Sequence, residues 1–251
     1  MRPVIFLFPL LFCVELVAAP RLDYQVVERV AQDPTYFTQG FEFRNGWFYH
    51  SSGLYGLSFL SRYQHDSNKA QKLPVPSNIF AEGLTVLNKK LFLLSWKAQT
   101  AWQFDRDTLQ LQKTFQYAGE GWGLANNSSQ LFLSNGSDTI YFIDPNTFQR
   151  SGSIKVSLND QAVSNLNELE FANGFLWANQ WKSTLLYQIQ PESGQVLATV
   201  DLGALQQEAA VDAIDSVANG IAYDEAQDLF WVTGKYWKYR YLIKINSTSG
   251  E

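Results

Sequence analysis

The chain has 251 residues, a formal net charge of -5 at pH 7, one cysteine and two histidines. Its 19 Lys and Arg residues are scattered along the chain, which argues against nucleic acid or an anionic membrane as the main partner. The scarcity of thiols and imidazoles excludes disulfides, cysteine nucleophiles and metal sites built from several histidines. Any catalysis must therefore use carboxylates, lysine, tyrosine or backbone groups.

Residues 1–19 have the features of a signal peptide, with Arg2 as a basic start, an apolar stretch over 4–17 and small residues at the expected cleavage site. A membrane anchor is the alternative, but the apolar run is short for a bilayer span. Cys13 lies in this segment and lacks the small residues that precede a lipidated cysteine. We therefore expect a periplasmic or secreted protein, with residues 20–251 as a single cysteine-free domain.

Short apolar runs separated by Gly, Asn, Asp and Ser dominate the rest of the chain, a pattern typical of an all-β protein. Segment 24–30 alternates like a strand. A motif of similar composition then recurs five times, starting near Phe37, Phe80, Gly121, Asn167 and Ala218. Its spacing of about 40 to 50 residues is typical of the four-stranded blade of a β-propeller.

A second and a third apolar run follow each copy of the motif. Five blades of about 45 residues nearly exhaust the mature chain, so the sequence predicts a five-bladed β-propeller. We expect strand 24–30 to complete the last blade from outside and to close the ring. Residues 202–216 are expected to form a short surface helix or a long loop. Core positions are expected for the aromatic residues of the second runs, which are Phe48, Phe92, Phe132, Trp177 and Trp231.

Equivalent positions of the five motifs are predicted to meet at the mouth of the central channel, because the first strand of each blade runs along the propeller axis. These positions hold Gln39, Glu82, Trp122, Glu168 and Asn219. Polar groups next to aromatic residues are typical of a ligand site. Glu82 and Glu168 stay open to three interpretations, which are solvated turn residues, a carboxylate pair, and ligands of a calcium ion together with the two amides.

Other residues in the glycine-rich parts of the motifs are candidates on pattern alone. Trp96, Trp122 and Trp181 occupy these positions and are expected at the site. Lys235 is the only cation in the recurrent pattern, and it is either solvated or part of the site. His50 and His65 are expected to be structural or surface residues, since an isolated histidine is weak support for catalysis.

Eight segments in the same order over residues 30–245 resemble the plant and bacterial glutaminyl cyclotransferases. They are FTQG at 37–40, SGLYG at 52–56, FAEGL at 80–84, GWGL at 121–124, LNELE at 166–170, WANQW at 177–181, NGIA at 219–222 and TGK at 233–235. The resemblance implies a five-bladed propeller enzyme that converts N-terminal glutamine to pyroglutamate and releases ammonia, without a metal or other cofactor. The implied partners are peptides or proteins with N-terminal glutamine, and we expect a monomer with no nucleic-acid or membrane partner after signal cleavage.

Individual roles follow from the resemblance, motif by motif. It implies that Glu82 is the general acid/base. The substrate-binding residues that it implies are Phe37, Gln39, Phe80, Trp96, Trp122, Asn167, Trp181 and Lys235.

Three positions depart from the family's pattern. His50 stands where the family usually has Glu, Asn135 stands where it has Asp, and Tyr236-Trp237 replaces Trp-Pro. We expect these changes to lie outside the catalytic core and to affect substrate preference or stability. Two other functions stay open, a non-catalytic propeller that binds exported peptides and a calcium-dependent propeller lactonase or lyase.

Overall fold

The computed structural model describes residues 19–67 and 69–246, so nearly all of the expected signal peptide lies outside the described residues. Strands dominate this part of the chain, and its one helix is α1 (Gly203–Ala209). The helix lies inside the segment predicted as helix or loop, and it buries Leu205 and Ala209. Among the described residues, no helix has the length and apolar character needed to cross a membrane.

Two strands open the fold, β1 (Arg21–Leu22) and β2 (Tyr24–Ala31). Three antiparallel sheets follow, each built outward in chain order. Their strands are β3 (Thr38–Arg44), β4 (Trp47–Ser52), β5 (Phe59–Gln64) and β6 (Ala70–Pro74), then β7 (Ala81–Leu87), β8 (Lys90–Ser95), β9 (Thr100–Asp105) and β10 (Leu111–Gln116), then β11 (Leu124–Asn126), β12 (Leu131–Ser134), β13 (Thr139–Ile143) and β14 (Arg150–Lys155).

A short hairpin separates these sheets from the last two. The remaining strands are β15 (Ser157–Leu158) and β16 (Gln161–Ala162) in the hairpin, β17 (Leu166–Ala172), β18 (Phe175–Gln180), β19 (Leu185–Ile189) and β20 (Val196–Asp201) in the fourth sheet, and β21 (Ala218–Asp224), β22 (Leu229–Gly234) and β23 (Tyr239–Ile245) in the fifth. The five sheets are the blades of a five-bladed β-propeller, as the repeats predicted.

The N-terminal strands join two neighbouring blades. β2 pairs antiparallel with β23 and is the outermost strand of the fifth sheet. β1 pairs in parallel with β20 at the edge of the fourth sheet, a contact that the sequence did not predict. Arg21 supports this attachment with an ion pair to Asp201 at 2.7 Å, and Arg29 pairs with Glu208.

The blade cores lie between neighbouring sheets and contain the aromatic residues predicted for them. The five aromatic residues of the second runs are at most 3% exposed. Phe48 of the first blade meets Trp231 of the fifth edge to face, with 5.2 Å between ring centroids. These aromatic contacts between blades contribute to holding the ring together.

The innermost strands approach one another closely around the axis, and glycine makes this possible. Each of β3, β7, β11, β17 and β21 contacts its two neighbours. A Cβ atom at Gly123 would lie 2.0 Å from the Asn167 carbonyl oxygen, and one at Gly83 would lie 2.6 Å from the Leu124 nitrogen. Neither position has room for any side chain, which explains why glycine recurs in the motif.

Buried carboxylates satisfy backbone N–H groups across these narrow gaps. Glu168 accepts hydrogen bonds from the N–H of Phe41 at 3.2 Å and of Ile221 at 2.8 Å, on the innermost strands of the first and fifth blades. Glu42 accepts from the N–H of Val86 at 3.1 Å in the same way. Glu168 is fully buried, so its interpretation as a solvated turn residue is wrong. Both of its oxygens accept backbone hydrogen bonds.

Four of the innermost strands carry a register shift at the same place in their pairing with the second strand. A β-bulge releases residues from the hydrogen-bond ladder and re-aims their side chains. The shifts enclose Gln39, Glu82, Asn167 and Asn219 respectively. The fold thereby turns polar side chains of four blades away from regular strand pairing.

We predict that Gly123→Ala lowers the free energy of unfolding by about 1 to 3 kcal/mol, because the new methyl group forces two innermost strands apart. Gly203→Ala is the control. Its methyl group would lie 3.0 Å from Asp201 Oδ1 and 3.7 Å from Thr184 Oγ1, both of them side-chain atoms and not backbone, and the change should be less than about 1 kcal/mol. Urea denaturation of both variants measures the difference, and equal stability of Gly123→Ala and wild type would contradict the packing argument.

Candidate active site

The nine predicted site residues line one cavity of about 360 Å³, next to the starts of the innermost strands. The structure thus brings together Phe37, Gln39, Phe80, Glu82, Trp96, Trp122, Asn167, Trp181 and Lys235. Three further residues line the cavity and were missed by the sequence, namely Leu54, Asp215 and Tyr236.

The carboxyl group of Glu82 is buried and has one oxygen engaged and one free. Gln39 Nε2 donates a hydrogen bond to Glu82 Oε1 at 3.2 Å. Asn219 Nδ2 donates to the Thr38 carbonyl oxygen at 2.9 Å and to Gln39 Oε1 at 3.4 Å. This chain of amides directs the Gln39 NH2 group at Glu82, so Oε1 acts as the acceptor. Glu82 Oε2 is buried without a protein partner, so a proton on this carboxyl group belongs on Oε2.

Burial dominates the electrostatics of the site. Burial raises the pKa of Glu82 well above the ordinary range. The charge of Lys235 acts to lower this pKa, and the charge of Glu120 acts to raise it. Burial also lowers the pKa of Lys235 to about 8, while Glu82 and Asp215 oppose that change. The sequence left open whether burial or Lys235 controls Glu82, and the structure answers that burial does.

Aromatic rings in edge-to-face contact form the cavity walls. The Phe80 and Trp96 centroids are 5.5 Å apart, and those of Trp122 and Trp181 are 5.9 Å apart. Phe37 lies against Phe80 at 6.1 Å. The Lys235 Nζ atom lies 4.6 Å from the Phe37 centroid, where the ring face attracts a cation. Lys235 is 4% exposed and lines the cavity, so its interpretation as a solvated lysine is wrong.

The missed residues lie in loops, where the repeat gives little information. Leu54 has a backbone φ of 124°, a strained value for a residue with a side chain and a frequent feature of ligand sites. Asp215 lies in the segment between α1 and β21. Glu120 comes directly before the GWGL motif, and its Oε2 accepts hydrogen bonds from two of the wall tryptophans. An acidic residue next to a motif was the only sequence signal for it.

The departures from the family pattern fall in different places. His50 is fully buried and does not line the cavity, and its Nε2 atom lies 3.0 Å from the Thr38 hydroxyl oxygen. Burial lowers its pKa to about 3, with help from Arg240 and Lys72, so its imidazole is neutral. Tyr236 lines the cavity and packs on Phe37 at 5.1 Å, so the expectation that all departures lie outside the site is wrong.

Metal binding was one interpretation of the polar ring. Glu82 lines the cavity, whereas Glu168 is engaged by backbone N–H groups of β3 and β21. Within residues 19–67 and 69–246, no three His, Cys, Asp or Glu side chains lie close enough to hold a metal ion. The cavity therefore combines the buried Glu82 carboxyl group, the Asp215 carboxyl group, a buried lysine and an aromatic enclosure.

We predict that Glu82→Gln is more stable than wild type, by a margin that grows with pH. The unfolded carboxyl group titrates near pH 4.3, at about its ordinary pKa, whereas the folded pKa is raised. The unfolded state therefore releases its proton first, and stability falls as pH rises above this value. Glutamine is neutral at every pH and lacks this loss. Denaturation at acidic, neutral and alkaline pH measures the margin, with exposed Glu192→Gln as control. A margin that stays constant with pH would contradict the raised pKa.

Comparisons with known proteins indicate the family of this chain. The family model for glutamine cyclotransferase matches residues 12–245. The glutaminyl-peptide cyclotransferase of Arabidopsis thaliana is 35% identical over 235 residues, which cover 91% of this chain and 73% of the relative. The crystal structure of Myxococcus xanthus glutaminyl cyclase matches with a TM-score of 0.84 and 31% identity, over 90% of this chain and 98% of that one.

A more distant match concerns the fold alone. The WD40 β-propeller domain of Doa1 has a TM-score of 0.52 and 12% identity, over 83% of this chain and 64% of that chain. At such low identity a shared propeller carries no information on activity. The family model and the two closer relatives each span most of this sequence, and the chain therefore belongs to the glutamine cyclotransferase family.

Proposed function

We propose that this glutaminyl cyclase converts the N-terminal glutamine of peptides to pyroglutamate and releases ammonia, with Glu82 as general acid/base and without a metal. One observation carries the proposal. The Oε2 atom of Glu82 has no protein partner, and it belongs to a buried carboxyl group with a raised pKa that lines an aromatic cavity. The names of the Arabidopsis and Myxococcus relatives support the reaction type.

The cavity offers acceptors that match the donors of a glutamine residue. Glu82 Oε2 and Asn167 Oδ1 are both buried without a protein partner. An unsatisfied buried acceptor costs about 1 to 3 kcal/mol. An N-terminal glutamine brings N–H donors on its α-amine and on its side-chain amide, which can satisfy Asn167 Oδ1 and, when Glu82 is ionised, Glu82 Oε2. The tryptophan walls then enclose the folded-back side chain and hold the amine near the amide carbon.

Cyclisation needs no external nucleophile. The neutral α-amine attacks the side-chain amide carbon, the new C–N bond closes the five-membered lactam, and the bond to the amide nitrogen breaks. The attacking amine loses one proton and the departing nitrogen gains one, so ammonia leaves with the proton count balanced. One carboxyl group at Glu82 Oε2 serves both transfers, since it alternates between acid and base.

The raised pKa of Glu82 suits this exchange. An α-amine has a pKa of about 8, far above that of an ordinary glutamate. Burial moves the Glu82 pKa towards that of the amine, so proton transfer between the two groups is nearer to balance in both directions. Lys235, cationic below its pKa of about 8, stabilises the negative charge that develops on the amide oxygen.

Glu82→Gln is expected to lower kcat by about a hundredfold to ten-thousandfold, the range typical of general acid/base groups. Ammonia release from a glutaminyl dipeptide, followed by the matching mass loss, measures the change, and Glu192→Gln is the control. Activity of wild type should be equal with and without a strong chelator. Near wild-type turnover of Glu82→Gln would overturn the assignment. Loss of activity with chelator would instead support the calcium-dependent alternative.

The pH dependence tests Lys235 separately. Raising the pH through about 8 removes the Lys235 proton, so kcat at saturating peptide should fall on the alkaline side. Lys235→Arg keeps a cation, because a guanidinium stays protonated. The alkaline fall in kcat of this variant should therefore move to higher pH, even if its maximum kcat differs from that of wild type. Lys235→Met should be slow at every pH. An alkaline fall at the same pH in wild type and Lys235→Arg would show that another group causes it.

A further inference from the structure

One carboxylate oxygen holds the walls of the cavity on two blades. Glu120 lies in the loop between β10 and β11. Its Oε2 accepts a hydrogen bond from Trp96 Nε1 at 2.7 Å and from Trp122 Nε1 at 3.0 Å. Trp96 directly follows β8 of the second blade, and Trp122 precedes β11 of the third. A single side chain outside the cavity lining thus joins two of the residues that form it.

We propose that Glu120 is a positioning residue, which sets the distance and tilt of Trp96 and Trp122 so that the substrate glutamine side chain is held folded for ring closure. This inference rests on the proposed function, because it assigns Glu120 a task in the same reaction. Glu120 acts through the tryptophans, and it contributes no atom to the bonds that form or break.

The geometry favours an anchoring task over a chance surface contact. An indole N–H is a donor only, and a bond to an ionised acceptor is about twice as strong as one between neutral groups. Both indoles share the same oxygen, so a movement of one ring is resisted by the other. The second oxygen of Glu120 faces Lys97 at 3.8 Å, and the Lys97 Nζ atom lies 4.0 Å from the Trp96 centroid. Trp96 is therefore held at its edge and on its face.

Trp122 is restrained on other sides as well. A Cβ atom at Gly136 would lie 2.6 Å from its ring, so this glycine lets the ring pack directly on the backbone. Trp122 also packs edge to face on Trp181 at 5.9 Å. Through this contact, the anchor at Glu120 extends to the third tryptophan of the cavity.

A fixed enclosure matters for an intramolecular reaction. The enzyme gains rate by holding amine and amide carbon close to attack distance, and a misplacement of about 1 Å can reduce the rate a hundredfold. The negative charge of Glu120 also contributes to the raised pKa of Glu82. Position and charge are therefore two separable effects of one side chain.

The test compares Glu120→Ala with Glu120→Gln by kcat, KM and pH profile on a glutaminyl dipeptide. Glu120→Ala removes the shared acceptor, and kcat/KM is expected to fall by about 10- to 100-fold. Glu120→Gln keeps an acceptor oxygen and loses only the charge, so it should recover most of this loss. The part of the pH profile that reports the titration of Glu82 should move to lower pH by the same amount in both variants. Both substitutions remove the negative charge that helps to raise the Glu82 pKa.

Resonance Raman bands of the indole N–H give a readout that is independent of turnover. They should report weaker hydrogen bonding in Glu120→Ala than in wild type, and intermediate bonding in Glu120→Gln. Glu192→Ala, an exposed carboxylate in the turn between β19 and β20, is the matched control and should leave rate and spectrum unchanged. Thermal unfolding verifies that every variant is folded at the assay temperature.

The possible failures are distinguishable. If wild type turns over the dipeptide and Glu120→Ala matches its kcat/KM, the positioning role is overturned and the proposed function stands. If Glu120→Gln is as slow as Glu120→Ala, charge and not position is what Glu120 supplies, and the positioning role is again overturned. If wild type releases no ammonia from any glutaminyl peptide, the proposed function fails and the inference fails with it.

Discussion

The close approach of the five innermost strands is the constraint on which the rest of this structure depends. Side chains are excluded at Gly83 and Gly123, where a Cβ atom would collide with the next blade's backbone. Such narrow gaps leave backbone N–H groups that no strand ladder reaches, and a buried N–H without an acceptor is costly. Glu42 and Glu168 supply the acceptors from other innermost strands. The polar residues around the axis are thus required by the fold before any question of activity arises.

The same region shows that a raised pKa alone does not identify a catalytic residue. Burial raises the pKa of both Glu82 and Glu168 well above the ordinary range. Glu168 does not line the cavity, and both of its oxygens accept backbone hydrogen bonds. Glu82 differs in one respect, which is the buried Oε2 without a partner beside a cavity. The unsatisfied acceptor, more than the shifted pKa, distinguishes the candidate acid/base from the structural carboxylate.

Most of the fold and the centre of the site were predictable because both follow the repeat. The motif spacing predicted five blades, and the family resemblance placed nine residues that do line one cavity. Simple repeat equivalence was less accurate, since it put Glu168 at the channel mouth where the bulged β17 presents Asn167 instead. Glu120, Asp215 and the β1 attachment lie in connections or at the terminus. Their positions depend on contacts between blades, and the repeated sequence motif carries no information about such contacts.

The arrangement of acceptors also accounts for a preference for glutamine over glutamate under the proposed function. Asn167 Oδ1 is a buried oxygen that needs a donor, and a side-chain amide supplies N–H groups where a carboxylate supplies only more oxygen atoms. A glutamate side chain would place a negative charge in a cavity where burial already disfavours the ionised form of Glu82. Unpaired buried acceptors discriminate strongly against a ligand that lacks the matching donor. Under the proposed function, the bulges that free these side chains from the strand ladder would therefore place the reactive oxygen and favour glutamine as substrate.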